Sequence, residues 1–232
     1  MACLPDYAEL HCLSNFSFLR GASHPGELVG RAAALGYAAL ALTDECSLAG
    51  MVRAHVAARE HKLKLIVGSE LRLEDGTQLV LLATDRRSYG ALSALIAAGR
   101  RRGKKGSYSL ARADVEASAA SGLLALLLAG DAHWLAAHFP GRAWIAAELH
   151  CGANDRARLE SLRELSRACG LPLVASGDVH MHLRSRRRLQ DALTAIRLGT
   201  PRGKRWARPS IVSFASQPAG VSPGGTSSSG YS

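Results

Sequence analysis

Short apolar segments alternate with longer segments of helical periodicity along most of the chain. The apolar segments predict seven strands, at residues 7–11, 38–43, 63–71, 78–83, 123–129, 144–150 and 173–177. The longer segments predict seven helices, at residues 26–35, 47–61, 89–98, 111–120, 132–138, 156–168 and 185–198. In the second of these helices, apolar side chains recur at steps of three and four residues, which is the spacing of one helix face.

Strands that alternate with helices favour a parallel sheet covered by the helices. Seven strand–helix units fit either a closed barrel or a doubly wound open sheet, and the pattern alone does not separate the two. Gly36 and Gly170 each follow a helical segment, where a left-handed C-terminal cap is expected. We predict one α/β domain over residues 1–200.

The sequence changes character near its end. Residues 201–232 begin with a basic segment and continue from residue 209 with many Ser, Gly and Pro residues and no charged residue. A segment of this composition buries too little apolar surface to offset the entropy lost on ordering. We therefore expect residues 201–232 to form a disordered tail.

Positive charge dominates the chain: 29 Lys and Arg residues face 19 Asp and Glu residues, a net charge of +10. Such an excess suggests a polyanionic partner such as DNA, although a charged run is equally typical of a solvated helix face. The excess is concentrated in residues 100–105 and 184–208. The candidate nucleic-acid contacts are Arg184, Arg186, Arg187 and Arg188, and their binding would be salt-sensitive and independent of base sequence.

Two classes of protein are disfavoured by the sequence. The longest apolar stretch, residues 123–129, is far shorter than the roughly 20 residues that span a bilayer, and the first residues do not resemble a secretory signal. The five cysteines are scattered and include no CxxC pair, which argues against a disulfide framework and against a zinc site of paired cysteines. We expect a cytoplasmic protein.

Acidic residues and histidines recur where the predicted strands end. They are His11, Asp44, Glu45, Glu70, Glu148, His150, Asp178, His180 and His182, accompanied by Cys12, Ser14 and Cys151. The carboxyl ends of parallel strands meet at one rim of an α/β fold. Carboxylates and imidazoles that converge there are typical of a multinuclear hydrolytic metal site. A single such residue is more often an ordinary polar strand end, but recurrence on at least four strands favours a shared site.

Five segments, ELHCLSNFSFLRGASHP, ALTDECSLAG, GSEL, LVLLA and VASGDVHMH, resemble in order and spacing the motifs of the PHP (polymerase and histidinol phosphatase) domain. They look most like the PHP domain that opens bacterial C-family DNA polymerases, in their error-prone, damage-tolerant form. The resemblance covers about residues 7–200 and implies a distorted seven-stranded β/α barrel with metal ligands at the carboxyl rim. It also implies a parent protein that is a DNA-directed DNA polymerase acting in replication and repair.

The resemblance implies the metal ligands His11, Asp44, Glu45, Glu70, Asp178 and His180, with either His150 or Cys151 in addition. The sequence departs from the family pattern where Leu13 and Gln78 stand in place of histidines, and where Glu45 replaces the last residue of a TDH motif. Fewer imidazoles weaken at least one ion site. The implied cofactor is a divalent metal (Mn, Zn or Mg), and its site is partly degenerate.

Two functions remain open at this point. The chain is either a non-catalytic or weakly hydrolytic N-terminal module of a DNA polymerase, or a free-standing metal-dependent phosphoesterase or 3′–5′ exonuclease. The basic excess and the motif variants favour the first, with DNA and the other polymerase domains as partners. The aspartates that would hold magnesium in a polymerase palm are not present in this sequence.

Overall fold

The computed structural model describes residues 6–199 and the backbone of residues 212–213. The strands are β1 Ala8–Glu9, β2 Ala39–Leu42, β3 Lys64–Arg72, β4 Gln78–Leu82, β5 Leu124–Ala129, β6 Ala143–Glu148, β7 Leu173–Ser176, β8 Val179–Met181 and β9 Val212–Ser213. The helices are α1 Pro25–Ala34, α2 Met51–Glu60, α3 Arg86–Arg102, α4 Arg112–Ala119, α5 Ala132–His138, α6 Asp155–Cys169 and α7 Arg187–Leu198, the last preceded by a 3₁₀ turn at Arg184–Arg186.

These elements follow the predicted alternation, with two notable differences. Helix α3 is longer than predicted and ends in three arginines, Arg100, Arg101 and Arg102. Cationic side chains are favourable at a helix C-terminus, where the carbonyl dipoles point outward. At the other end, the Asp85 side chain accepts a hydrogen bond from Ser88 N and caps the helix. The second difference is β8, a short strand that no apolar alternation predicted.

Strands β1 to β7 form one sheet in sequence order. Neighbouring strands are parallel except at β4, which is antiparallel to both β3 and β5. The expectation of an all-parallel sheet is wrong here, because the short segment 73–77 is a hairpin turn with no room for a crossover helix. Gly76 has a φ of 87° in this turn, a conformation that glycine adopts without strain.

The two edges of the sheet nearly meet. Cys12, beyond β1, forms an isolated parallel bridge with Val179 of β8, and Leu13 N donates a hydrogen bond to Val179 O at 2.8 Å. The Glu9 carboxylate in β1 accepts a hydrogen bond from Gly177 N, just beyond β7, at 2.9 Å. The sheet is thus a distorted, nearly closed seven-stranded barrel, which confirms the predicted fold class.

Alternate residues of the strands face two hydrophobic clusters. In β4, Leu79 and Leu81 pack in a cluster that includes side chains of α3, α4 and α5. Val80 and Leu82 pack instead in a smaller cluster supplied almost entirely by strands. The first cluster therefore lies between the sheet and the helices, and the second lies inside the barrel.

This topology gathers the polar strand ends at one rim. Strands β1, β2, β3, β5, β6 and β7 run in the same direction, so their carboxyl ends share that rim. Because β4 runs the other way, its first residue, Gln78, reaches the same rim.

A short strand lies near the end of the chain. Val212–Ser213 pair in parallel with β8, whereas the sequence predicted no regular structure there. The rest of the predicted tail lies outside the described residues. Within the described part, no helix has the length and apolar character needed to cross a bilayer.

Candidate metal centre

A cavity of about 410 Å³ opens at this rim of the barrel. Its polar lining consists of His11, Arg20, Glu70, Gln78, Glu148, His150, Arg158 and Asp178. The structure therefore brings together His11, Glu70 and Asp178, which lie far apart in the sequence. Of the other predicted ligands, His150 also lines the cavity, whereas Asp44, Glu45, Cys151 and His180 do not.

His11 lies buried between carboxylates. Its Nδ1 is 2.7 Å from Glu148 Oε1 and 3.6 Å from Asp178 Oδ1, and its Nε2 is 3.1 Å from Glu70 Oε2. Burial alone would lower the pKa of His11, but the hydrogen bonds to Glu148 and Glu70 outweigh it and raise the pKa well above 6.5. Both ring nitrogens of His11 therefore lie within hydrogen-bonding distance of a carboxylate oxygen.

Arg20 places a second cation among the carboxylates. Its Nη1 donates hydrogen bonds to Glu70 Oε1 at 2.7 Å and to Glu45 Oε2 at 2.9 Å. Burial would raise the pKa of Glu70, but the hydrogen bond from His11 and the positive charge of Arg20 lower it to about 2. Glu70 therefore stays ionised, beside the Arg20 guanidinium and the His11 ring.

The Asp44 carboxylate holds the loop of residues 14–23 in place through hydrogen bonds. Its Oδ1 accepts hydrogen bonds from Ser14 N and Ser17 Oγ, and its Oδ2 accepts one from Ser14 Oγ. Burial raises the pKa of Asp44 despite these hydrogen bonds. The loop carries Arg20, so this predicted ligand instead fixes the position of the arginine. Its neighbour Glu45 also accepts a hydrogen bond from Tyr108 Oη at 3.2 Å.

Glu148, His150 and Asp178 form the candidate metal site. Each offers one ligand atom, and the three atoms lie within 4.8 Å of one another. His150 Nδ1 is buried and has no hydrogen-bond partner among the described residues. A buried polar atom without a partner destabilises the folded protein unless a ligand such as a metal ion binds to it. Two carboxylates and one imidazole suit one divalent cation such as Zn²⁺ or Mn²⁺, so these residues fit a single metal.

His180 supports this site indirectly. Its Nε2 is 2.8 Å from Asp178 Oδ1, and its Nδ1 is 3.0 Å from the carbonyl oxygen of Arg20. Burial would raise the pKa of Asp178, but the charge of His180 and its hydrogen bond lower it. His180 thus orients Asp178 and the Arg20 loop.

The remaining predicted residues lie elsewhere. Cys151 is exposed in the turn after β6, with a φ of 57°, and it is not among the three clustered donors. Leu13 is fully buried and does not line the cavity. His182 Nδ1 lies 2.8 Å from Ser23 Oγ, and His182 does not line the cavity. Gln78 lines the cavity but is not one of those donors either.

The four candidate nucleic-acid arginines do not form one free patch. Arg186 Nη2 pairs with Glu27 at 2.5 Å, and Arg187 Nε pairs with Asp191 at 2.9 Å. Arg184 and Arg188 are exposed, and the described residues provide no ion-pair partner for either. Of the four arginines, Arg184 and Arg188 are therefore the two without an ion-pair partner in the described part of the chain.

Sequence reasoning missed Arg20, and it placed Glu148 among the polar strand ends but not among the implied metal ligands. Glu148 stands two residues before His150, the same spacing as Asp178 and His180, and this repeated acid-x-His pattern could have singled it out. Arg20 lies in a loop without periodicity, and its sequence neighbours give no sign that it reaches Glu70.

Comparison with known proteins assigns the barrel to a family. The sequence profile of the PHP domain matches residues 9–165. This chain belongs to the PHP domain family. The PHP barrel described above is also similar in fold to an amidohydrolase from Chromobacterium violaceum, with a TM-score of 0.57, 18% sequence identity and coverage of 75% of this chain and 87% of that one.

Relatives with much higher identity carry a polymerase name. The PHP domain is similar to a protein named error-prone DNA polymerase from Dechloromonas aromatica, 61% identical over 84% of this chain and 20% of that protein. A protein of the same name from Methylococcus capsulatus is 58% identical over 87% of this chain and 20% of its own length. The chain thus spans about a fifth of the length of the curated relatives that it matches.

Proposed function

We propose that this chain is the PHP module of an error-prone DNA polymerase and that it serves the polymerase with little or no hydrolysis of its own. The identity of 61% to a protein of that name supports the first part. The parent function would be DNA-directed DNA synthesis in replication and in repair of damaged DNA, and its place would be the cytoplasm. Polymerisation would need the four fifths of the relatives that this chain does not match.

The position of Arg20 is the observation that supports the second part. A multinuclear hydrolytic site holds its ions close together so that they activate water and neutralise the leaving group. Here Glu70 and Glu45 are paired with a guanidinium, and Asp44 is hydrogen-bonded to two serines. We propose that Glu148, His150 and Asp178 hold at most one Mn, Zn or Mg ion, which when bound supplies Lewis acidity.

The other proposed partner is DNA. Arg184 lies in the 3₁₀ turn before α7 and Arg188 lies in the first turn of α7. Neither has an ion-pair partner in the described part of the chain, and both would contact phosphates with no preference for base sequence. The other domains of the polymerase are the remaining partners that we propose.

One observation favours the alternative of a metal-dependent phosphoesterase or 3′–5′ exonuclease. The buried, unpartnered His150 Nδ1 points to a metal, and a single activated water can suffice for slow hydrolysis. A direct measurement distinguishes the two.

The first experiment measures hydrolysis. The purified chain is stripped of metal, loaded with Mn²⁺ or Zn²⁺, and assayed with bis(p-nitrophenyl) phosphate and with recessed DNA 3′ ends. We expect rates within a few-fold of those of Asp178→Ala, because the site lacks a second ion. Fast metal-dependent hydrolysis that Asp178→Ala abolishes would establish the phosphoesterase instead.

The second experiment tests the link to the polymerase. Residues 6–199 replace the matching segment of the Dechloromonas aromatica polymerase, and primer extension is measured. We expect extension close to that of the parent, since this chain is 61% identical to the segment that it replaces. The control replaces the same segment with the Chromobacterium violaceum barrel, which has the fold without the sequence. If both chimeras are equally impaired, the proposed membership in this polymerase is refuted.

A further inference from the structure

We propose that Arg20 is a built-in cation that takes the place of a metal ion at the rim of the barrel. In this proposal, the guanidinium occupies the point between Glu45 and Glu70 that a bridging divalent ion would need. The domain would then bind one metal fewer than its carboxylates permit. The inference does not rest on the proposed polymerase function, since it concerns only these side chains.

The distances support the replacement. One nitrogen, Arg20 Nη1, lies 2.9 Å from Glu45 Oε2 and 2.7 Å from Glu70 Oε1. A divalent ion bridging two carboxylates sits about 2.0–2.6 Å from each oxygen. An atom that contacts both oxygens at these distances excludes an ion from the same position.

Hydrogen bonds at both ends of the loop fix the position of Arg20. The Asp44 carboxylate binds Ser14 and Ser17 at the start of the Arg20 loop. At its end, the carbonyl oxygen of Arg20 accepts hydrogen bonds from His180 Nδ1 and Gln190 Nε2. Side chains from two distant elements therefore fix the backbone that carries the guanidinium.

An arginine and a metal ion differ in one respect that matters here. A guanidinium keeps its charge at every accessible pH and cannot dissociate. Glu70 thus has a permanent counter-charge whatever the supply of metal, and this part of the rim folds without any ion. The same arrangement removes the second ion that multinuclear hydrolysis needs.

The test counts metal ions. The wild-type chain, Arg20→Gln and Arg158→Gln are stripped with chelator and titrated with Mn²⁺ in a calorimeter, with the bound metal checked by elemental analysis. We expect Arg20→Gln to bind one equivalent more than the wild type. Arg158 is the matched control because it lines the same cavity without an ion pair among the described residues, so Arg158→Gln should leave the metal count unchanged.

A second variant separates charge from shape. Arg20→Lys keeps the positive charge next to Glu70 and should keep the wild-type metal count. If Arg20→Gln does not fold without metal, we expect Mn²⁺ to restore its circular dichroism spectrum, as an ion then replaces the guanidinium.

Three outcomes would overturn the proposal. They are a folded Arg20→Gln with the wild-type metal count, an Arg20→Gln that stays unfolded at millimolar Mn²⁺, and an Arg20→Lys that gains a metal. None of them depends on hydrolysis or on primer extension, so this inference and the proposed function fail separately.

Discussion

Glu70 contacts Arg20 and His11 at the same time, and its side chain is only 5% exposed. Its pKa in the folded protein is about 2, against an ordinary value of 4.5. A carboxyl whose pKa is depressed by folding adds stability above its unfolded pKa, and this stability is lost as the pH falls through the folded pKa. The contribution of Glu70 is therefore complete above about pH 4.5 and disappears toward pH 2.

We predict that Glu70→Gln flattens this part of the pH profile. In urea unfolding with chelator present, the wild type should lose on the order of 3 kcal/mol through this group between pH 5 and pH 2. The variant should be less stable than the wild type at pH 6 and approach it at pH 2. Glu160→Gln is the control, since Glu160 is itself exposed and forms an ion pair with exposed Arg163. Parallel pH profiles for the wild type and Glu70→Gln would contradict the prediction.

Sequence reasoning at the residue scale succeeded where position along a strand decides the outcome. His11, Glu70, His150 and Asp178 each lie close to the carboxyl end of a strand, and the structure brings all four to one cavity. It could not foresee that Asp44 accepts hydrogen bonds from Ser14 and Ser17, or that Arg20 lies beside Glu70. Both contacts depend on the conformation of the loop of residues 14–23, and a pattern of apolar positions does not predict the conformation of a loop.

At the scale of elements, the loop of residues 14–23 depends on a close approach of two backbone segments. A Cβ on Gly21 would lie 2.1 Å from Ser14 O, far inside van der Waals contact. Just before it, Leu19 has a φ of 60° and Arg20 points to the acids. Gly21 therefore allows the turn that delivers Arg20.

We predict that Gly21→Ala lowers the free energy of unfolding by about 3 kcal/mol or more, because the backbone must move to admit a methyl group. The matched control is Gly90→Ala, in the exposed interior of α3, where an added Cβ meets nothing within 4 Å. That change should stabilise the protein by about 0.5–1 kcal/mol, since alanine loses less entropy than glycine in a helix. Urea unfolding of both variants provides the check, and an unaffected Gly21→Ala would show that the loop has room to adjust.

The hairpin of β3 and β4 shows how far the sequence of a short connection predicts the direction of a strand. The segment LEDGT at residues 73–77 is a turn sequence, too short for a crossover, and it could have predicted the antiparallel pair. The expectation of uniform alternation led to the wrong direction for β4. By contrast, the bounds of α1 and α5 lie within one residue of those predicted, because each helix has one apolar face against the sheet.

For the whole molecule, the strand pattern left barrel and open sheet undecided. Whether the sheet closes into a barrel depends on contacts between the two ends of the domain, such as that of Cys12 with Val179. Such contacts join residues that are distant in sequence, and a local pattern of apolar positions carries no information about them. Only the resemblance to a known family favoured the barrel in advance.

The contact that closes the barrel also determines how long the first strand of the sheet stays unpaired during synthesis. Glu9 and Gly177, which close it, are 168 residues apart. At roughly 5–20 residues per second, the ribosome needs about 10–30 s to deliver the second after the first. During that interval β1 has no partner on its outer edge, and an unpaired strand edge invites pairing with other chains. Among the strands of this sheet, β1 leaves the ribosome first and waits longest for protection of its outer edge. In the cell it is therefore the strand of this sheet on which a chaperone has the longest time to act.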